Sequence, residues 1–362
     1  MAKKAAKGSV KPKNHNFPKL HNAAWYDAAR YGAAWPGVTD GVVGGMVGKE
    51  NPGTDSRIEG IDLDVMIDLT AAAEIDGVKF DGIDLLLALP HFDIDHPEEA
   101  AKRLAEKCSA KNLQVGTVAA PLREETGGGG AMGDTAARKR FLDQIKKTCT
   151  AAKAMRDQGI RPNGCIRIDT AATVEEWKND PEANQKKIAA TFTEACEIAA
   201  DFDEVLACEG DVCRGGVHSW RRARQILELV DRPQTLGFQA DMARTVFYLL
   251  GYNAPEDRLL PENFDGTDTP AFDAAYKRMA GALRHWTVDF HVARRDTNDA
   301  NDKWDIPYYA GFWLKDEDGL TKRFNHICWD GRLPPNAVAT DPQTWNDVLA
   351  AMIAVRNQYG WK

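Results

Sequence analysis

Two carboxylates separated by one βα unit give the first chemical signal. The stretch from Val205 to Asp241 holds two short apolar runs, Val205-Leu206-Ala207-Cys208 and Thr235-Leu236-Gly237-Phe238, leading into Glu209 and Asp241. Between them, His218 to Val230 has helical spacing. Strand, helix, strand at this length is a βαβ unit, so the strands are parallel and both acids stand at carboxyl ends of neighbouring strands. That edge is where α/β folds place their chemistry.

Two later segments add to the pair. Trp286 to Val292 alternates like a strand and presents His291, and Phe324 to Trp329 leads into Asp330. Three carboxylates on one rim repel and take up protons unless a counter-charge is supplied. One divalent cation resolves that conflict. Carboxylate oxygens with one imidazole suit Mn²⁺ first, with Mg²⁺ or Co²⁺ as alternatives. Each residue also has a plainer reading: Asp241 and Asp330 as helix caps, His291 as a core histidine. An unpaired Glu209 beside a buried run would be costly. The joint placement of the four carries the case.

The elements that must position them alternate along the chain. Lys19 to Ala23, Val78 onward, Leu113 to Ala120 and Gly164 to Ile168 read as the earlier strands. Helical spacing covers Ile61 to Ile75, Pro97 to Ala110, Thr135 to Gln158, Ala183 to Ala200 and, at the end, Pro342 to Tyr359. Asp76-Gly77 reads as the stop of the first helix. About eight strand-like segments separated by helices predict an α/β fold, a (β/α)₈ TIM barrel with loop insertions. An open doubly wound sheet is the runner-up, weakened by the lack of a dinucleotide fingerprint. Residues 1–17 read as a disordered basic tail and 18–362 as a single barrel domain. The glycine-rich Thr126 to Gly133 has neither a GK[ST] nor a GxGxxG register and reads as a flexible loop beside the active site rather than a phosphate cradle.

Composition narrows the partners. A net charge of −8 over 362 residues argues against a nucleic-acid surface. No apolar run is long enough to span a membrane, and no signal-peptide pattern is visible. Seven cysteines without a CxxC pair read as buried reduced thiols of a cytoplasmic protein. A homo-oligomer is left open: Trp304, Tyr308, Tyr309, Phe312 and Trp313 read as interface, lid or core.

The pieces ACEGD with Glu209, GFQADMA with Asp241, VDFHVA with His291 and HICWDG with Asp330 resemble the xylose isomerase-like barrels, the sugar phosphate isomerase/epimerase superfamily. The resemblance implies one divalent metal held by Glu209, Asp241, His291 and Asp330, and a ketose or keto-sugar substrate. It also implies that Glu209 and Asp330 form the acid/base pair on opposite faces of the sugar. Asp330 stands where the family usually carries Glu, and Arg244 where its epimerases often carry His. His91, Arg167, His218, Trp220, Arg244 and Arg294 are the expected substrate contacts.

The expected activity is therefore that of a metal-dependent sugar isomerase or epimerase working through an enediolate. A lyase cleaving 3-keto-glycosides by the same enolate chemistry is one alternative, and a catalytically silent sugar-binding barrel is another. The endonuclease branch is disfavoured, since it would want several metals, more histidines and a basic face.

Overall fold

A computed structural model describes residues 17–24, 38–39, 42–43, 62–264, 269–292, 312–313, 325–330 and 340–358. Eight parallel strands close into one ring. They are β1 (Lys19–Ala24), β2 (Gly82–Leu86), β3 (Gln114–Ala119), β4 (Ile166–Ile168), β5 (Leu206–Glu209), β6 (Leu236–Asp241), β7 (Thr287–Val292) and β8 (His326–Trp329). Ring order follows chain order, and β1 closes against β8 with Leu20 beside Ile327. The barrel is thus the expected (β/α)₈ architecture, and the open sheet is excluded because no strand of the ring has a free edge.

The helices that feed the rim are α1 (Leu63–Ala72), α2 (Pro97–Ala110), α3 (Thr135–Asp157), α4 (Val174–Lys178), α5 (Pro181–Asp201), α6 (Trp220–Val230), α7 (Met242–Leu249), α8 (Thr269–Leu283) and α9 (Pro342–Arg356). Their starts follow from local chemistry. Asp134 caps α3 by accepting from Ala137 N at 2.8 Å, Ser219 caps α6 from Arg222 N at 3.2 Å, and Thr173 with Glu176 forms a capping box on α4. Each cap fixes where a strand-to-helix loop turns, and so where the last residue of the strand points.

Two local expectations are corrected. Asp76 and Gly77 do not stop the first helix. They have φ of 50° and 80° and turn a hairpin between Glu74–Ile75 and Val78–Lys79, so β2 starts at Gly82. Two successive positive φ values match the tight turn that an Asp-Gly pair favours. The glycine-rich loop is not loose either. Gly128 N donates to Arg123 O, Ala131 N to Thr170 O, and Thr191 Oγ1 to Ala131 O. A β-carbon at Gly128 would strike the Leu122 backbone, so close backbone approach is what requires glycine there.

The floor of the barrel is braced by a buried Arg161–Glu204 pair at 2.9 and 3.0 Å, with Arg161 Nε donating to Gly116 O. Just above it Cys165, Val205, Ala207 and Val288 form a small apolar plug. The seven cysteines are free and buried. Trp313 packs as core, with Nε1 donating to Tyr276 Oη at 2.7 Å, whereas Trp304, Tyr308 and Tyr309 lie outside the described residues. Among the described residues no helix is long and apolar enough to cross a membrane.

Candidate active site

The four expected ligands stand on four consecutive strands. Glu209 ends β5 and lies in register beside Gln239 of β6. Asp241 ends β6 and lies beside His291 of β7. Asp330 follows β8 directly, its backbone N donating to Val292 O at 3.0 Å. Relative exposure is 1% for Glu209, 1% for Asp241, 0% for His291 and 6% for Asp330, so the set is withdrawn from bulk water. Asp241 also fills its plainer role: its Oδ1 caps α7 by accepting from Arg244 N at 3.0 Å.

Guanidinium groups share this rim, which composition alone did not reveal. Arg244 lies 3.3 Å from Glu209 Oε1, 2.5 Å from Asp211 Oδ2 and 3.7 Å from Asp241 Oδ2. Arg167 Nη2 lies 3.4 Å from Glu209 Oε2. Arg214 sits between Asp169 and Asp211 at 3.9 and 3.8 Å. Burial would raise the Asp211 carboxyl, but Arg244 and Arg214 outweigh it and bring it down to about 2. Among the described residues, Glu209, Asp211, Asp241 and Asp169 thus face Arg167, Arg214 and Arg244.

Beneath the rim lies a polar layer that the sequence reading missed. Asp84 of β2 meets His21 Nδ1 at 3.0 Å, Thr117 N at 3.1 Å and His326 Nε2 at 3.3 Å. His291 Nε2 lies 3.7 Å from Asp84 Oδ2 and 3.5 Å from Asp289 Oδ2. Burial would lower His291, but the nearby Asp84 carboxylate and the charges of Asp289 and Asp241 overcome it and raise it to about 9. Burial also opposes the charge on Asp84, yet His326, His21 and His291 hold its carboxyl well below the usual range. Period-two spacing was the available signal: Asp289 and His291, then His326, Cys328 and Asp330, each alternate onto one face of their strand.

The expected substrate contacts separate into two groups. Arg167 and Arg244 lie at the rim on Glu209. The others have neighbours of their own. His91 Nδ1 is 3.1 Å from Ala24 O. His218 is buried edge-on to Trp177 at 4.6 Å, and burial, then Arg222 and Lys178, lowers it to about 4. Trp220 Nε1 donates to Asp257 O at 2.9 Å, under Arg221. Arg294 lies outside the described residues.

Whether a metal fits can be tested on the donors themselves. Among the described residues, the groups with ligand atoms all within 4.8 Å of one another are His21, Asp84 and His326, and Asp84, His291 and Cys328. The rim set is spread more widely, with Arg244 between Glu209 and Asp241. In the inner layer the rings of His21 and His326 stack at 4.1 Å and 18°, with His21 Nδ1 and His326 Nε2 both turned to the Asp84 carboxylate at 3.0 and 3.3 Å. That geometry belongs to a hydrogen-bonded cluster around Asp84. At the rim the donor chemistry fits a hard divalent ion: buried carboxylates, one imidazole, and a buried Glu209 Oε2 that makes no hydrogen bond.

Comparison with known proteins agrees with the architecture. A xylose isomerase domain protein from Alicyclobacillus acidocaldarius subsp. acidocaldarius superposes with a TM-score of 0.55 at 10% identity, covering 93% of this chain and 99% of that one. An AP endonuclease, family 2, from Brucella melitensis gives 0.53 at 14% identity, covering 80% and 93%. A D-allulose 3-epimerase from Methylomonas sp., in complex with D-allulose, gives 0.51 at 12% identity, covering 82% and 91%. At these identities the likeness is one of fold. No curated protein sequence matches the chain. The family model for the xylose isomerase-like TIM barrel matches residues 68–327, more than half of the sequence, and the chain belongs to that family.

Proposed function

We propose that this barrel is a divalent-metal-dependent sugar isomerase or epimerase acting on a ketose or keto-sugar, with Glu209, Asp241, His291 and Asp330 holding the ion. The observation that carries the reading is the pair Glu209 and Asp241 at adjacent strand ends, with His291 in register beside Asp241, all buried at the mouth of the ring. Mn²⁺ is the favoured ion, with Mg²⁺ and Co²⁺ as substitutes. When bound, the ion would polarise a substrate carbonyl and favour the enediolate left when the neighbouring carbon loses its proton.

The chain's own groups supply the rest. Glu209 and Asp330 stand on strands β5 and at the end of β8, three positions apart around the ring. A sugar lying across the mouth would meet one carboxylate on each side, the arrangement that removes a proton from one face and returns it to the other. Arg167 and Arg244 orient the Glu209 carboxylate from two directions and offer N–H donors to substrate oxygens. Asp330 is one methylene shorter than glutamate, which shortens the reach of the acid/base group on the β8 side.

The test joins metal content with exchange. Mass spectrometry should find about one divalent ion per chain, lost in Glu209→Gln and Asp241→Asn, and the loaded protein should wash deuterium from D₂O into a keto-sugar. Absence of metal after incubation with Mn²⁺ would end this reading in favour of a silent sugar-binding barrel. Release of an aglycone from a 3-keto-glycoside would redirect it to the lyase.

A further inference from the structure

We propose that Asp84 is a positioning residue for His291: it takes the Nε2 side of the imidazole from below, so that Nδ1 is the nitrogen presented to the rim ion. The inference rests on the metal site proposed above. It starts from a placement that barrels seldom use. The interior of a (β/α)₈ ring is normally filled by branched apolar side chains, yet here His21, Asp84, Asp289, His291 and His326 occupy it with 2% exposure or less. Burying two acids among three imidazoles is expensive and adds little stability over an apolar filling. A gain in function accounts for it better.

The geometry gives that gain. An imidazole can give one nitrogen to a metal while the other, protonated, is held by an acceptor, and such outer partners fix the ring and its tautomer. His291 Nε2 faces Asp84 Oδ2 at 3.7 Å and Asp289 Oδ2 at 3.5 Å, ion-pair distances with both acceptors on that one side of the ring. Asp84 is in turn immobilised from three other strands. His21 of β1 and the Thr117 N–H of β3 engage its Oδ1, and His326 of β8 engages its Oδ2. His326 is steadied by Asn325 Oδ1 at 2.9 Å and by the stacked ring of His21. The neighbouring backbone leaves room only because two residues lack side chains. A β-carbon on Gly82 would come within 2.7 Å of His21 Nε2, and one on Gly116 within 2.6 Å of Asp84 Oδ1. Asp84 is therefore a fixed carboxylate beneath a residue that has to aim upward.

The experiment measures metal binding rather than turnover. Wild type should bind one Mn²⁺ per chain by calorimetry, and Glu209→Gln should bind none. Asp84→Asn should keep one ion per chain with 10- to 100-fold weaker affinity, an altered visible spectrum in the Co²⁺ form and an unchanged far-ultraviolet dichroism without metal. Wild-type affinity and spectrum in Asp84→Asn would overturn the proposal. So would two ions in wild type falling to one in Asp84→Asn with the remaining affinity unchanged, since Asp84 would then be a ligand of an inner ion. A measurement on wild type alone covers a variant that fails to fold. In the Zn²⁺ form, long-range ¹H–¹⁵N histidine correlations should show metal on Nδ1 and a proton on Nε2 of His291, and metal on Nε2 would refute the assignment. Retention of metal by Glu209→Gln would instead refute the rim site, and this inference with it.

Discussion

Arg244 Nη1 lies 2.5 Å from Asp211 Oδ2, and the same guanidinium reaches Glu209 at 3.3 Å. One side chain from the first turn of α7 thereby ties two acids of the β5 end to the cap of its own helix. Both partners of the short pair are largely withdrawn from water, with side-chain exposures of 12% and 4%. Removing one partner of such a pair leaves the other charge buried, at about 3 kcal/mol. Arg244→Gln should therefore lower unfolding stability by roughly that amount, read from denaturant midpoints, and Asp211→Asn should restore part of it in the same background. A neutral Arg244→Gln, or a double variant that loses the sum of the two singles, would show that the pair is uncoupled.

That pair also shows what a sequence conceals. The ring was legible because apolar strands and amphipathic helices alternate at regular intervals, and because Glu209, Asp241, His291 and Asp330 each end a recognisable strand. The cation that meets Glu209 was visible as Arg244, yet its engagement with Asp211 depends on how a helix start folds back over a loop, which no local pattern encodes. The inner layer was missed for a different reason. His21 and Asp84 sit inside strands beside Leu20, Ile83 and Leu85, which are fully buried core, and no local pattern marks the two polar side chains as partners. Only closure of the ring, which sets His21 beside Gly82 and Cys328, brings His21 and His326, 305 positions apart in the chain, onto the one Asp84 carboxylate.

Metal loading should be visible as stability. A ligand held by the folded state alone at a concentration 100 times its Kd adds about 2.7 kcal/mol. Mn²⁺ at that excess should raise the denaturation midpoint of wild type, and EDTA should reverse the gain. Asp241→Asn should show no such response. An equal Mn²⁺ effect on wild type and Asp241→Asn would mean that the ion acts elsewhere on the chain.

His218 gives the fold a defined acid sensitivity. In the native state burial, with Arg222 and Lys178 nearby, brings its pKa to about 4, against 6.5 in an unfolded chain. The unfolded chain therefore binds the extra proton between those values, so stability rises with pH across the window and is lost as pH falls from 6.5 toward 4. At about 1.4 kcal/mol per pH unit the whole effect is of order 3 kcal/mol. His218→Gln should flatten the curve of unfolding free energy against pH between pH 4 and 6.5, even if its stability at pH 8 is lower. Parallel curves for the two proteins would exclude His218 as the source.

Gly116 is the smallest test of the inner layer. It lies in β3, where a β-carbon would come within 2.5 Å of His21 Nδ1 and 2.6 Å of Asp84 Oδ1. Both atoms belong to fully buried side chains that already hold each other at 3.0 Å, so neither can swing into solvent to yield. Overpacking of this kind costs about 1 to 3 kcal/mol. Gly116→Ala should lose stability in that range, whereas Gly281→Ala, whose β-carbon would meet nothing within 4 Å in α8, should be neutral or slightly stabilising. If Asp84 also aims His291, the Gly116 variant should weaken metal binding as well, and a variant that is destabilised yet binds metal as wild type does would separate the packing of this layer from its part in the site.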